Sequence, residues 1–135
     1  MKKWMILLLL SWPLLGQAEL VVVTGSNSDL TSLTENEVRQ LFSGQLKVVG
    51  GKRMQPLDLP TSSKDRENFY AKLMGRSPEQ MRAYWTRLIF TGQGKPPREV
   101  SSIQELTNLV NSGEYIGYLR ADALTDNVQV LYRIQ

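Results

Sequence analysis

The stretch "LDLPTSSKDRENFYAKLMG", residues 57–75, predicts a strand that passes directly into a helix. Its first residues are strand-like, and Pro60 ends that run. Three hydroxyl residues follow, Thr61, Ser62 and Ser63. Ser62 or Ser63 can cap a helix, because a serine oxygen accepts a hydrogen bond from an unpaired N–H of the first turn. The segment is therefore a strand-to-helix junction, a feature of sheets that are interleaved with helices.

The same alternation continues on both sides of the junction. Apolar and β-branched runs predict strands, and apolar residues spaced by three and four predict helices. The predicted strands are residues 19–24, 46–49, 54–59, 115–119 and 128–134. Three further helices are predicted from capping boxes, Thr34 with Glu37, Ser77 with Gln80, and Ser102 with Glu105. The residues thus predict a single α/β or α+β domain with four helices.

Aromatic residues cluster around the third predicted helix. We interpret Tyr84, Trp85, Phe90 and Tyr115 as core residues rather than as a stacking platform. Tyr84 and Trp85 share their helix with Met81, Leu88 and Ile89 at the spacing of a core-facing stripe.

Residues 1–18 have the pattern of a secretory signal peptide. Two lysines precede an apolar run, and Gly16-Gln17-Ala18 supplies small residues at the cleavage positions, so cleavage is expected after Ala18. The alternative is a membrane anchor, but the run contains Pro13 and is shorter than the roughly 20 residues needed to span a bilayer. We therefore expect residues 19–135 to be exported, to the periplasm in a Gram-negative cell, without stable membrane insertion after cleavage.

Charge and composition exclude several classes of function. The formal charge is +3, and removal of Lys2 and Lys3 lowers it by two. The basic excess lies in residues 61–99 and is too dilute for a nucleic-acid groove. The chain has no Cys and no His, so it lacks a thiol nucleophile, an imidazole base and the usual zinc ligands. We predict a protein that is not an enzyme and holds no metal or cofactor.

The three hydroxyls at the junction allow two interpretations. One serine can simply cap its own helix, which is the commoner role of such residues. Alternatively, the positive helix start, with Lys64 and Arg66 close by in sequence, can hold a phosphate or sulfate. The residues alone favour the plain cap.

Two other loops are weaker candidates for an anion. Residues 24–28 follow a strand but no helix begins there, so we interpret them as a turn or a segment that crosses between lobes. Residues 92–95 lack the spacing of a nucleotide loop and follow a helix. That loop is predicted to be irregular through Arg98, and its Lys95 and Arg98 suggest closure over a ligand as a hypothesis.

Four motifs in order resemble a known family. They are "SLTENEVRQLFSG" (32–44), "MQPLDLPTSSKDRENFY" (54–70), "YWTRLIFTGQGKPPREV" (84–100) and "YIGYL" (115–119). Together they resemble the phosphate ABC transporter substrate-binding proteins, which have the type 2 periplasmic-binding-protein fold, and in particular their short, single-lobe members. The resemblance covers most of residues 19–135.

The resemblance implies an α/β fold, a single lobe with a small mixed sheet flanked by about four helices. It implies non-covalent binding of a small oxyanion, phosphate first, at a helix N-terminus, with an ABC permease or another envelope protein as partner. The implied ligand-binding residues are Asp58, Thr61, Ser62, Ser63, Lys64 and Arg66.

Two departures from the family pattern support an alternative function. The family's phosphate loop contains glycine, whereas the matching loop here has none, and only one lobe's worth of sequence is present. The alternative is an accessory or protein-interaction module of the cell envelope that keeps the fold without a ligand.

Overall fold

The computed structural model describes residues 19–135, and the predicted signal peptide lies outside the described residues. The elements in chain order are β1 (Leu20–Gly25), α1 (Glu35–Phe42), β2 (Val48–Val49), β3 (Lys52–Arg53), β4 (Gln55–Asp58), α2 (Lys64–Met74), α3 (Pro78–Phe90), β5 (Arg98–Glu99), α4 (Ile103–Val110), β6 (Tyr115–Arg120) and β7 (Val128–Arg133). One turn of 3-10 helix, Ala121–Ala123, follows β6.

Five strands form one sheet in the order β5-β4-β6-β1-β7. β4 is parallel to both of its neighbours, β5 and β6. β1 is antiparallel to β6 and β7. A separate hairpin joins β2 to β3 through Gly50 and Gly51, whose φ angles of +60° and +77° suit glycine. The predicted mixed sheet with four helices is thus confirmed.

The hydrophobic pattern of β1 explains its central place. All six residues of Leu20–Gly25 are buried, as expected for a strand that is covered on both faces. Phe42 from α1 and Phe69 from α2 pack against Tyr118 of β6. These contacts join α1 and α2 to the middle of the sheet.

Two of the three predicted capping boxes are complete. In those that start α1 and α3, Thr34 and Ser77 accept from the third helical residue and receive the reciprocal bond. The start of α4 differs. Ser102 accepts from the N–H of Glu105 at 3.1 Å, but the Glu105 carboxylate binds the N–H of Ser101 at 2.8 Å. The helix start was predicted correctly, and the reciprocal bond was not.

The prediction for the end of α3 was wrong at two residues. Met81, Trp85 and Leu88 are buried, whereas Ile89 is 57% exposed and Phe90 is 91% exposed. With 3.6 residues per turn, Phe90 lies about 180° around the helix from Met81. The apolar stripe therefore turns away from the core before the helix ends.

The segment before α4 also differs from the prediction. Residues 91–98 were expected to be irregular, yet Arg98 begins the two-residue strand β5. This strand exists through its pairing with β4, a contact that local sequence does not reveal. Among residues 19–135, no helix has the length and apolar character needed to cross a membrane.

Candidate functional site

The candidate site lies at the carboxyl-terminal edge of the parallel strands β4 and β5. Their register pairs Leu57 with Arg98 and Asp58 with Glu99. Each strand then leads through a short loop into a helix, β4 into α2 and β5 into α4. In open α/β sheets, ligands bind outside the carboxyl ends of the strands. This edge is therefore where the topology favours a ligand.

Asp58, the last residue of β4, is a buried carboxylate, with 2% of its surface exposed. Its Oδ1 accepts hydrogen bonds from the hydroxyl of Tyr118 and from the N–H of Leu59, the latter at 3.0 Å. Its Oδ2 accepts from the hydroxyl of Tyr70 at 2.6 Å. Buried polar groups require such partners, and both oxygens of this carboxylate have them.

The two tyrosines are held by aromatic packing. The Tyr118 ring stacks on Phe69 with centroids 3.7 Å apart. Phe69 meets Phe42 and Tyr70 edge to face at 4.8 and 5.2 Å. Because these rings come from α1, α2 and β6, the hydroxyls that face Asp58 are fixed by the core itself.

Arg66, in the first turn of α2, links the carboxylate to the surface. Its Nε lies 3.5 Å from Oδ2 of Asp58, and its terminal nitrogen donates to the carbonyl of Leu59 at 2.8 Å. The same nitrogen lies 3.8 Å from Oε2 of Glu99. One guanidinium therefore lies between two carboxylates, so much of its positive charge is already balanced.

Burial raises the pKa of the Asp58 carboxyl above its ordinary value, although Arg66 and the hydrogen bonds just described oppose that shift. Burial and the nearby Asp58 charge together raise the pKa of the Tyr70 and Tyr118 hydroxyls well above their ordinary value. Both tyrosines therefore remain protonated donors at neutral pH.

Two backbone N–H groups at the start of α2 already bind side chains of the protein, one a capping serine and the other a carboxylate. Ser63 is the N-cap, and its hydroxyl accepts from the N–H of Arg66 at 3.3 Å. The N–H of Thr61 donates to Oε1 of Glu99 at 3.1 Å. The first-turn N–H groups of Lys64 and Asp65 have no intrahelical acceptor, because they precede the first helical bond. An anion could use these two groups without displacing the cap.

The six predicted ligand-binding residues fall into two groups. Asp58, Ser63 and Arg66 are joined by hydrogen bonds or ion pairs within the protein, through the contacts above. Thr61, Ser62 and Lys64 are exposed at the loop and the helix start. The Lys64 ammonium lies 3.8 Å from Glu67 on its own helix and points the charge toward solvent, with 86% of its side chain exposed. Ligand binding by any of the six remains a prediction.

Three residues of this cluster were missed by sequence reasoning. Tyr70 lies four residues after Arg66, so helical spacing could have placed both on one face. Tyr118 is in β6, and no local signal connects it with Asp58. Glu99 belongs to β5, the strand that the sequence pattern did not reveal. Within residues 19–135, no group of three or more acidic side chains is arranged to hold a metal ion.

Comparison with known proteins gives structural matches only. No protein-family model and no curated protein sequence matches the chain. An ABC-type phosphate transport receptor from Vibrio cholerae is similar, with 20% sequence identity, a TM-score of 0.66, and coverage of 84% of this chain and 45% of that one.

Two further solved structures give the same result. A protein from Clostridium perfringens, described as a phosphate ABC transporter substrate-binding protein with bound phosphate, has 13% identity, a TM-score of 0.67 and coverage of 84% and 44%. PstS from Borrelia burgdorferi has 15% identity, a TM-score of 0.62 and coverage of 84% and 46%. The chain spans less than half the length of these proteins. It therefore has the fold of a single lobe of a phosphate ABC transporter substrate-binding protein, a periplasmic-binding-protein fold.

Proposed function

We propose that this protein is an exported solute-binding domain. It binds a small oxyanion non-covalently at the N-terminus of α2, and phosphate is the leading candidate. The observation that carries this proposal is the exposed start of α2 at the carboxyl edge of β4. There, the N–H groups of Lys64 and Asp65 are free of intrahelical partners and the helix dipole is positive. The bound phosphate in the Clostridium perfringens protein of the same fold supports phosphate as the first ligand to test.

The exposed side chains define how an anion would be held. The hydroxyls of Thr61 and Ser62 would donate hydrogen bonds, and Lys64 would add positive charge. Arg66 would fix the loop through its bond to the carbonyl of Leu59. Asp58 would accept a hydrogen bond from a protonated phosphate only after one of its present donors moved away.

Affinity is expected to be weak, for two reasons. One lobe leaves the anion partly exposed, so fewer contacts offset the cost of association. In addition, Glu99 places a negative charge beside the loop and already accepts from the N–H of Thr61. A second copy or a partner protein that covers the site would increase the affinity.

Isothermal titration with phosphate and with sulfate tests this proposal. We expect saturable heat in the millimolar range, reduced when Ser62→Ala and Lys64→Ala are combined. Lys72→Ala is the matched control, because it removes a lysine from the last turn of the same helix. The proposal fails if neither anion binds the unmodified protein at millimolar concentration, or if both variants bind equally.

The alternative function is an accessory or protein-interaction module of the envelope. It is favoured by one observation: carboxylates of the protein itself already engage Arg66 and the N–H of Thr61. If Glu99→Gln, which removes the nearby charge, still shows no phosphate binding, the accessory function replaces the solute-binding one.

Export and partnership are parts of the same proposal. Cell fractionation followed by N-terminal sequencing should find the protein in the periplasm with Glu19 as its first residue. An ABC permease is the proposed partner for solute uptake. Cross-linking in cells to a permease would support that partner. A cytoplasmic protein that retains Met1 would contradict the proposed export.

A further inference from the structure

A polar cleft lies at the opposite edge of the sheet from the start of α2. It has a volume of about 650 Å³ and reaches the amino ends of β4 and β6, where Gln55 and Tyr115 line it. One wall comes from Leu46, Lys47, Arg53 and Met54, at the base of the β2–β3 hairpin. The other wall comes from residues 92–98, the loop between α3 and β5 with the first residue of that strand. A volume of this size is typical of sites for small organic molecules.

Positive charge lines both walls of the cleft. Lys47 and Arg53 come from the hairpin side, and Lys95 and Arg98 come from the loop side. No Asp or Glu is among the residues that line it. Within residues 19–135, none of the four cations forms an ion pair within 4 Å. A cleft lined by charge of a single sign concentrates its field on an anion.

Arg98 is oriented by the floor of the cleft. Its guanidinium donates to the hydroxyl of Tyr115 at 3.3 Å and lies 5.8 Å from the centre of that ring. Glu105, which does not line the cleft, has a lowered pKa. Two hydrogen bonds from Ser101 are the main cause, and the charge of Arg98 adds a smaller effect. The Arg98 guanidinium is thus held at Tyr115, a residue that lines the cleft, and forms no ion pair within 4 Å among the described residues.

The floor of the cleft includes apolar side chains, and the loop wall packs against a helix. Leu46 and Pro56, which are partly exposed, contribute apolar surface to the lining, and the buried side chains of Leu41 and Met54 support it. Gly94 packs so closely that a Cβ there would lie 3.1 Å from the side chain of Leu88, a buried residue of α3. The loop that carries Lys95 and Arg98 therefore packs against α3 at Gly94.

We propose that this cleft binds a small organic anion with an apolar body and two or more negative charges. Inorganic phosphate would leave the apolar floor unused, and a neutral apolar compound would leave four cations unpaired. A rigid ring that carries several carboxylates matches both features. This site is separate from the start of α2, and it does not depend on the proposed phosphate site.

Titration with benzene-1,3,5-tricarboxylate, followed by amide NMR of the full protein, tests this inference. We expect saturable shifts at Gly92 and Gly94, whose backbones line the cleft. Combining Arg53→Ala with Lys95→Ala should weaken binding by at least roughly fivefold, because each exposed charge contributes modestly. Lys72→Ala on α2 should leave the affinity unchanged, and circular dichroism should confirm that all variants are folded.

Two further ligands make the outcome specific. Benzamide, which has the ring without the charge, should not bind, and inorganic phosphate should shift the amides of Ser62 to Asp65 rather than those of Gly92 and Gly94. The inference is overturned if the tricarboxylate does not bind, if it shifts the start of α2 instead, or if the double variant binds equally well. Binding of hexaglutamate at the two glycines without binding of the tricarboxylate would assign the cleft to an acidic polypeptide and also overturn it.

Discussion

The backbone N–H of Thr61 donates a hydrogen bond of 3.1 Å to the carboxylate of Glu99. This bond joins the loop before α2 to the neighbouring strand β5. A side chain of the protein therefore holds an amide that an external oxyanion at this edge would also approach. The Glu99 side chain is 49% exposed, so its displacement by a ligand requires little desolvation.

The proposed phosphate site at the start of α2 predicts that Glu99→Gln strengthens binding by roughly two- to fivefold at low salt, through loss of a single exposed like charge. Glutamine keeps an oxygen that can accept from the N–H of Thr61, so the loop geometry should be retained. Isothermal titration at low and high salt measures the effect, which should shrink as salt screens the charge. Glu35→Gln on α1 is the control, since that glutamate is also half exposed and ion-paired. Equal affinities of the Glu99 and Glu35 variants would contradict the role of Glu99.

Tyr118→Phe is expected to lower the free energy of unfolding by about 1–3 kcal/mol, because it leaves a buried carboxylate oxygen with one donor fewer. Urea denaturation measures this change. Tyr132→Phe is a suitable control, because its ring is only half-buried and its hydroxyl has no hydrogen bond to the residues that the structure describes. A double-mutant cycle of Tyr118→Phe with Asp58→Asn should show coupling above about 0.5 kcal/mol. Additive effects would mean that the two side chains act independently.

The raised pKa of Asp58 predicts a particular pH dependence. Below its ordinary value of 3.8, the carboxyl is protonated in both folded and unfolded chains, and its stabilising contribution is fully present. As the pH rises through the higher pKa of the folded chain, the unfolded chain loses its proton more readily than the folded chain does. The stabilising contribution is therefore lost.

Urea denaturation of the unmodified protein and of Asp58→Asn between pH 3 and pH 7 isolates this contribution, because the variant cannot ionise at this position. The destabilisation caused by Asp58→Asn should become smaller as the pH rises. A difference that stays constant or grows with pH would show that the folded pKa of Asp58 is not raised.

The successes and errors of the sequence predictions follow from the range of the interactions involved. The helix starts at Thr34 and Ser77 were predicted correctly because a capping box depends on residues three positions apart. The same local chemistry identified Ser62 or Ser63 as the cap of α2, and Ser63 fills that role. Asp58 was predicted as a ligand-binding residue because it lies in the segment 54–70, which resembles the family.

The partners of Asp58 could not be predicted in the same way. Tyr118 is sixty residues away in the chain, and Glu99 reaches the junction only because β5 pairs with β4. A two-residue strand has too few residues to show alternation, so pairing alone reveals it. The sequence therefore predicted the helix start and Asp58, but not the Glu99 carboxylate or the tyrosine hydroxyls that bind Asp58.

Phe90→Ser is expected to change the free energy of unfolding by no more than about 0.5 kcal/mol, because the side chain is almost fully exposed. Met81→Ala, on the opposite side of the same helix, should cost about 2–5 kcal/mol through the cavity it creates. Thermal or urea denaturation distinguishes the two variants. A large loss for Phe90→Ser would mean that this residue is covered in solution, for example by a second copy of the chain.

Gly25→Ala is expected to be among the most damaging of the small substitutions. A Cβ at this position would lie 2.6 Å from the backbone carbonyl oxygen of Val110, at the end of α4. Backbone cannot move aside as a side chain can, so the helix end or β1 would have to shift, at a cost of about 2–3 kcal/mol. Gly117→Ala is the matched comparison, since the three atoms nearest to its Cβ, at 2.9 Å, all belong to the side chain of Leu106. Leu106 is buried, but shifting one side chain costs less than shifting a backbone segment. Urea denaturation should therefore show a smaller loss for Gly117→Ala, and the reverse order would contradict the close approach of β1 to α4.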